Sequence, residues 1–151
     1  CILDNRTTAM TGRQGNPFNG ETLQGRPSRE MDLEALVRAL GIERVSVVDP
    51  NDMAATRAAL KEAVSSADTL DVIVFRRPCV RLERARDTPD LTAACTGCGV
   101  CLTLGCPAIG RHAGTGLAYI DMDMCIGCGQ CAQYCRFGAI EQAERRGAAC
   151  L

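Results

Sequence analysis

The sequence predicts an α/β module, an incomplete parallel sheet with flanking helices, followed by a small α+β module built around cysteines. Three observations lead there. Strand, helix, strand, helix and strand patterns alternate through the first half of the chain. Only Cys1 and Cys79 precede position 95, whereas nine cysteines lie between 95 and 151. Those nine include a tandem repeat. With 151 residues and 46% apolar content, the chain has enough material for one medium domain or two small ones with buried cores.

In the first module, Cys1 to Asp4 reads as a strand. Leu33, Leu36, Val37 and Leu40 fall at i, i+3, i+4 and i+7, and Gly41 stands where a helix-ending glycine belongs. Val45 to Asp49 reads as a buried strand and Asp52 as a helix N-cap. Met53, Thr56, Leu60, Ala63 and Val64 read as the apolar face of a second helix, and Val72 to Phe75 as a third strand. Such an alternation implies parallel pairing with right-handed crossovers. Three strands and two helices leave faces and edges uncovered, so this module reads as incomplete by itself. Between Asp4 and Glu30 lies a polar, Gly-rich connection whose length suggests a mobile surface loop or a functional one. Charged residues with Pro78 and Pro89 suggest a linker, giving expected boundaries of 1–78, 79–91 and 92–151.

Seventeen Lys and Arg against eighteen Asp and Glu leave a net charge of −1, without the basic excess of a nucleic-acid or anionic-membrane binder. Neither partner is expected. No apolar run approaches the roughly 18–20 residues that span a bilayer, and the first residues lack the pattern of a secretory signal. The expected location is the cytoplasm. Opening on Cys1 rather than methionine reads as a cut within a longer chain.

Cys95, Cys98, Cys101 and Cys106 are followed by Cys125, Cys128, Cys131 and Cys135, at offsets of 30, 30, 30 and 29. The flanks repeat as well: Thr96-Gly97-Cys98-Gly99 matches Ile126-Gly127-Cys128-Gly129, and Ala108-Ile109 matches Ala139-Ile140. A CxxCxxC run wraps a tight loop whose three thiolates converge on one cuboidal cluster, with a remote cysteine as the fourth corner. Zinc sites favour pairs of cysteines, and an odd number of cysteines opposes a fully paired disulfide framework. Two [4Fe-4S] clusters are therefore expected. In bacterial runs of this kind the fourth cysteine serves the other cluster. That rule assigns Cys95, Cys98, Cys101 and Cys135 to one cluster, and Cys125, Cys128, Cys131 and Cys106 to the second. The fold expected here is a bacterial-type 2[4Fe-4S] ferredoxin domain. Pro107 after Cys106 fits the pattern; Arg136 after Cys135 departs from it and should ease reduction of that cluster. His112 is expected at the surface, and Cys1, Cys79 and Cys150 as buried or incidental thiols.

Cys1-Ile2-Leu3-Asp4-Asn5-Arg6-Thr7-Thr8-Ala9-Met10-Thr11-Gly12-Arg13-Gln14 closely resembles the thiamine-diphosphate loop of 2-oxoacid:ferredoxin oxidoreductases. A thiamine module followed in one chain by a two-cluster ferredoxin domain resembles the alpha subunit of the indolepyruvate type. The resemblance implies oxidative decarboxylation of a 2-oxoacid to acyl-CoA and carbon dioxide, with electrons passing singly through the clusters to an external ferredoxin. It implies a beta subunit as partner, and a 2-oxoacid and coenzyme A as substrates. By the same resemblance Asn5 would bind Mg2+ through its side-chain oxygen and Thr7 through its carbonyl, hard donors that suit this ion. Met10, Thr11 and Gly12 would lie near thiamine diphosphate. The family's GDG element and its aminopyrimidine-binding domain do not occur in this sequence, so no catalytic residue is assigned and decarboxylation by this stretch alone is not expected. Alternative readings are a non-enzymatic ferredoxin-type electron carrier, or a subunit acting on pyruvate or branched-chain oxoacids.

Overall fold

A computed structural model describes residues 1–8, 10, 12, 14–66, 68–82 and 88–142. The chain divides into two compact units, Cys1–Glu83 and Arg84–Leu151. Among the described residues no helix is long and apolar enough to cross a membrane.

Unit one carries a three-stranded parallel sheet of β1 (Ile2–Asp4), β2 (Arg44–Val48) and β3 (Asp71–Arg76), in the order β1-β3-β2. Val74 faces Ile2 on one side and Val47 on the other, so β3 is central and Ile73 and Val74 are buried. The expected strand at Val45–Asp49 thus starts and ends one residue earlier. It is not a buried strand either: β2 lies at the sheet edge, with Val45 and Val48 half-buried and the other three positions exposed. A parallel sheet is normally covered on both faces, and Leu3, 79% exposed, shows how much of this one is bare.

Helix α1 (Leu33–Ala39) starts where the Asp32 carboxylate accepts the N–H groups of Glu34 and Ala35, each at 3.0 Å. It stops at Gly41, whose φ of +87° lets its N–H reach back to the Arg38 carbonyl. Leu33 and Val37 bury against Val74, Ile2, Val45 and Phe18, each burial being worth about 1.5–3 kcal/mol. The expected four-residue stripe is only half used, because Leu36 and Leu40 remain exposed. Helix α2 (Met53–Ser65) is capped by Asp52, which accepts the Ala55 N–H at 2.9 Å. Its expected face holds in part: Met53, Thr56 and Ala63 are half-buried, together with Ala55 and Ala59, whereas Leu60 and Val64 are exposed.

The long connection from Asp4 to Glu30 folds back on itself. Arg6, at φ +62°, donates to the Phe18 carbonyl and to the Glu30 carboxylate, both at 2.5 Å. Isolated bridges join Thr8 to Gln14 and Glu21 to Pro27.

Unit two pairs β4 (Asp90–Leu91) with β7 (Ile140–Glu141), and β5 (Ile109–Arg111) with β6 (Ala118–Ile120), both antiparallel. Strand β4 falls inside the stretch read above as linker. A 3-10 turn over Val100–Leu104 follows the first cysteine run, and α3 (Gln130–Tyr134) sits at the matching place in the second. Cys101, Ala118, Cys131 and Ile140 form the buried core, with Leu91, Ile109 and Ile120 against it. A core of this size, half of it thiols, is too small to hold a domain without an added staple.

Candidate metal centres

The two halves of unit two exchange backbone bonds in matching places. Thr92, three residues before Cys95, donates its N–H to the Ala139 carbonyl at 2.8 Å; Asp121, four before Cys125, donates to the Ala108 carbonyl at 2.7 Å. Each bond ties the entry of one CxxCxxC loop to the residues just past the fourth cysteine of the other half. Cys95, Cys98, Cys101 and Cys135 consequently line one cavity, and Cys106, Cys125, Cys128 and Cys131 line another with Pro107. Free space differs, about 20 Å³ in the first and about 280 Å³ in the second.

Within the loops the repeat is reproduced in backbone angles. Gly97 and Gly127 have φ of +68° and +64°, and Gly99 and Gly129 have +78° and +76°. Only glycine takes this conformation without strain, and the resulting turns aim N–H groups at sulfur. Gly127 donates to Cys125 Sγ at 3.4 Å, and Ala139 to Cys135 Sγ at 3.3 Å.

The thiols differ electrostatically. Burial, then the nearby Cys128 thiolate, pushes Cys131 up to about 11. Cys101 is raised by burial, with added repulsion from Cys98, Cys95 and Cys135. Cys135 moves the other way: burial alone would raise it, but backbone N–H groups from Phe137 to Ile140 outweigh that and hold it below the usual thiol range. Thiolates gathered this closely repel one another unless a cationic centre stands among them.

The donor set therefore fits iron-sulfur ligation, with four thiols per cavity and flexible glycine turns beside them. Among the described residues no three His, Cys, Asp or Glu side chains converge as a single metal ion requires. All the described cysteines are free thiols. His112 is exposed, its ring 4.9 Å from that of Tyr119, and Arg136 is exposed beside Cys135. Cys1 is exposed and Cys79 half-buried; Cys150 lies outside the described residues.

In unit one, Asp4 is buried and its carboxylate accepts Arg76 Nε at 2.8 Å and the Arg6 N–H at 3.2 Å. Asn5 is exposed, and its Oδ1 accepts the Thr7 N–H at 3.1 Å, a side-chain turn that leaves the second lone pair of that oxygen for another partner. Thr7 is buried and its hydroxyl donates to the Gln14 carbonyl. Both candidate Mg2+ donors thus share one turn. Met10 is 94% exposed, Gly12 has φ +113°, and Thr11 lies outside the described residues.

Sequence reasoning missed Arg111 and Gln142, which hydrogen-bond to the carbonyls of Gly97 and Gly127. Extending the Ala-Ile repeat by two residues would have found them.

Both units have counterparts among known proteins. Residues 1–75 match the family model for the C-terminal TPP-binding domain of thiamine pyrophosphate enzymes, and residues 118–141 match that for the 4Fe-4S binding domain. The class these matches define is a thiamine pyrophosphate-binding domain joined in one chain to a 4Fe-4S binding domain. Within it, the chain is similar to the indolepyruvate oxidoreductase subunit IorA of Pyrococcus horikoshii, 41% identical over 153 residues that cover 95% of this chain and 23% of that protein. IorA of Thermococcus kodakarensis is 39% identical over 150 residues (93% and 23%), and that of Archaeoglobus fulgidus 36% over 151 (95% and 24%). The chain spans about a quarter of the length of these relatives. No solved structure matches it.

Proposed function

We propose that this chain is the electron-transfer portion of a thiamine-diphosphate-dependent indolepyruvate:ferredoxin oxidoreductase, joined to the end of its thiamine-binding domain. The observation that carries the reading is the pair of four-thiol cavities, each built from three cysteines of one half and one of the other. Cys95, Cys98, Cys101 and Cys135 would hold one [4Fe-4S] cluster, and Cys125, Cys128, Cys131 and Cys106 the second. When bound, the clusters supply one-electron storage and thiamine diphosphate supplies the carbon centre that attacks a 2-oxoacid.

The chain's own residues divide the remaining work. Backbone N–H groups around Cys125 and Cys135 stabilise thiolate charge, and the small core of Cys101, Ala118, Cys131 and Ile140 packs the two cysteine loops together. Asn5 Oδ1 and the Thr7 carbonyl would donate to Mg2+, completed by residues outside this chain, with Met10, Thr11 and Gly12 close to the cofactor. The domain boundaries are read as 1–78, 79–91 and 92–151. The partners are a beta subunit, an external ferredoxin, an aryl 2-oxoacid and coenzyme A, and the location is the cytoplasm. Similarity to the IorA subunits supports this choice of substrate class.

The test uses the full-length subunit with its partner, purified without oxygen. About eight irons and eight sulfides per chain are expected, with the clusters reduced on adding indolepyruvate and coenzyme A. Asn5→Ala should weaken thiamine diphosphate binding measured calorimetrically with Mg2+; unchanged affinity removes Asn5 from the site. Clusters that accept electrons only from a chemical reductant, with no thiamine diphosphate binding, would make the chain an electron carrier. Stoichiometric zinc would end the cluster reading.

A further inference from the structure

The internal repeat continues beyond the cysteines. Ala108-Ile109-Gly110-Arg111 aligns with Ala139-Ile140-Glu141-Gln142, which makes Arg111 and Gln142 counterparts. They do the same structural job. Arg111 Nη2 donates to the Gly97 carbonyl at 3.2 Å, and Gln142 Nε2 donates to the Gly127 carbonyl at 3.2 Å. Each also lies directly over the second glycine of its loop. A Cβ at Gly99 would strike the Arg111 guanidinium, and one at Gly129 would strike the Gln142 amide.

Two pegs thus hold two equivalent CxxCxxC loops by equivalent bonds, and they differ in charge. Arg111 is a permanent cation, and it lines the same cavity as Cys95, Cys98, Cys101 and Cys135. Gln142 is neutral. The surroundings carry the difference further: exposed Arg136 follows Cys135, whereas Asp121 and Asp123 lead into Cys125, with Asp121 capping the N–H groups of Asp123 and Met124.

We propose that Arg111 sets the two clusters apart, giving the one held by Cys95, Cys98, Cys101 and Cys135 the higher reduction potential, so that an electron entering the domain comes to rest there. The proposal rests on the cluster assignment made above. A [4Fe-4S] cluster with four thiolates goes from a charge of about −2 to about −3 on taking up one electron. A fixed positive charge at the cavity wall favours the more negative state, and a neutral amide in the matching place does so far less. The asymmetry centres on this pair of pegs, and Arg136 on one side and the two aspartates on the other add to it in the same sense.

The experiment is a redox titration of the full-length subunit with its partner, using dithionite with mediators and following both clusters by electron paramagnetic resonance. Iron and sulfide are counted first. Fewer than two clusters in the unaltered protein overturns the cluster assignment itself. With both clusters present, Arg111→Gln should leave the iron count unchanged and shift one potential downward, towards the other. Arg111→Lys, which keeps the charge with a different donor, should restore most of that shift. Conversely, Gln142→Arg should move the second potential upward. Full iron with both potentials unmoved in Arg111→Gln overturns the proposal while leaving the assignment intact. Should Arg111→Gln lose iron because the peg is needed for folding, Gln142→Arg decides: an upward shift supports the proposal and an unmoved potential overturns it.

Discussion

The N–H of Thr92 donates to the carbonyl of Ala139 across 2.8 Å, and this one bond places Cys135 beside the loop that carries Cys95, Cys98 and Cys101. The pairing of Leu91 with Ile140 in β4 and β7 supports it. Each thiol set draws on both halves, which couples cluster loading to the folding of this unit.

That sharing has a signature in paired variants. Cys106→Ala and Cys125→Ala are each expected to lower iron from about eight to about four atoms per chain, and the double variant should retain about four, because both remove corners of the same cube. Cys106→Ala with Cys95→Ala should lose nearly all of it. Anaerobic iron and sulfide analysis distinguishes the two; the reverse result would show that each half keeps its own fourth cysteine.

Two glycines of like conformation should respond differently to alanine. Gly97 has φ +68° and an added Cβ would stand 2.9 Å from the Gly116 carbonyl oxygen; Gly105 has φ +64° and nothing within 4 Å. Gly105→Ala should cost only the left-handed backbone term, about 1 kcal/mol, with iron retained. Gly97→Ala should cost about 2–3 kcal/mol and lose the first cluster, since the backbone contact cannot give way. Unfolding midpoints and iron counts measured side by side check both.

In unit one, the ion pair of Asp4 with Arg76 joins β1 to the centre of the sheet. The Asp4 side chain is only 4% exposed, and Arg76 spans it and Glu34 at 2.8 and 3.0 Å. Arg76→Gln leaves the buried carboxylate with only the Arg6 N–H and the more distant Arg6 guanidinium, and should destabilise the unit by about 2 kcal/mol, less than a fully buried pair because Arg76 is partly solvated. Asp4→Asn in that background should recover part of the loss. Denaturant titration of all four members of the cycle measures the coupling, and strict additivity would contradict it.

Asp71 supplies a pH dependence. The Ser66 hydroxyl, which hydrogen-bonds it, outweighs the upward push of burial, and Arg44 adds to the effect, so its carboxyl titrates below the usual range. A depressed carboxylate stabilises the fold fully above the unfolded value near 3.9, and that contribution disappears as pH falls through the lower folded value. Ser66→Ala should raise the Asp71 pKa and flatten the acid side of the stability profile below the unfolded carboxylate value. Side-chain NMR titration reads the shift directly; an Asp71 pKa unmoved by the substitution would assign the shift to Arg44 instead.

Much of the molecule is legible in the linear order of residues. Asp32 and Asp52 cap the helices expected of them, Gly41 ends α1, and the three strands of unit one fall within a residue of the apolar runs that announce them. The faces were harder to read. Leu36, Leu40, Leu60 and Val64 match a helical period yet stay exposed, because periodicity reports an apolar face and not whether anything packs against it. The repeat places Arg111 and Gln142 as counterparts, but each acts through a carbonyl 14 or 15 residues away, so its contact is not displayed by any local pattern.

By itself the sequence determined what depends on neighbours along the chain: helix caps, glycine turns, thiol triplets wound into tight loops, and the likeness of Asp4 to Gln14 to a thiamine-binding turn. Only the tertiary structure decided that β3 rather than β2 is central, and that a cation covers one loop and an amide its twin. Bonds between residues as distant as Thr92 and Ala139 depend on strand pairing, and pairing is settled by the whole unit's burial and hydrogen bonding together.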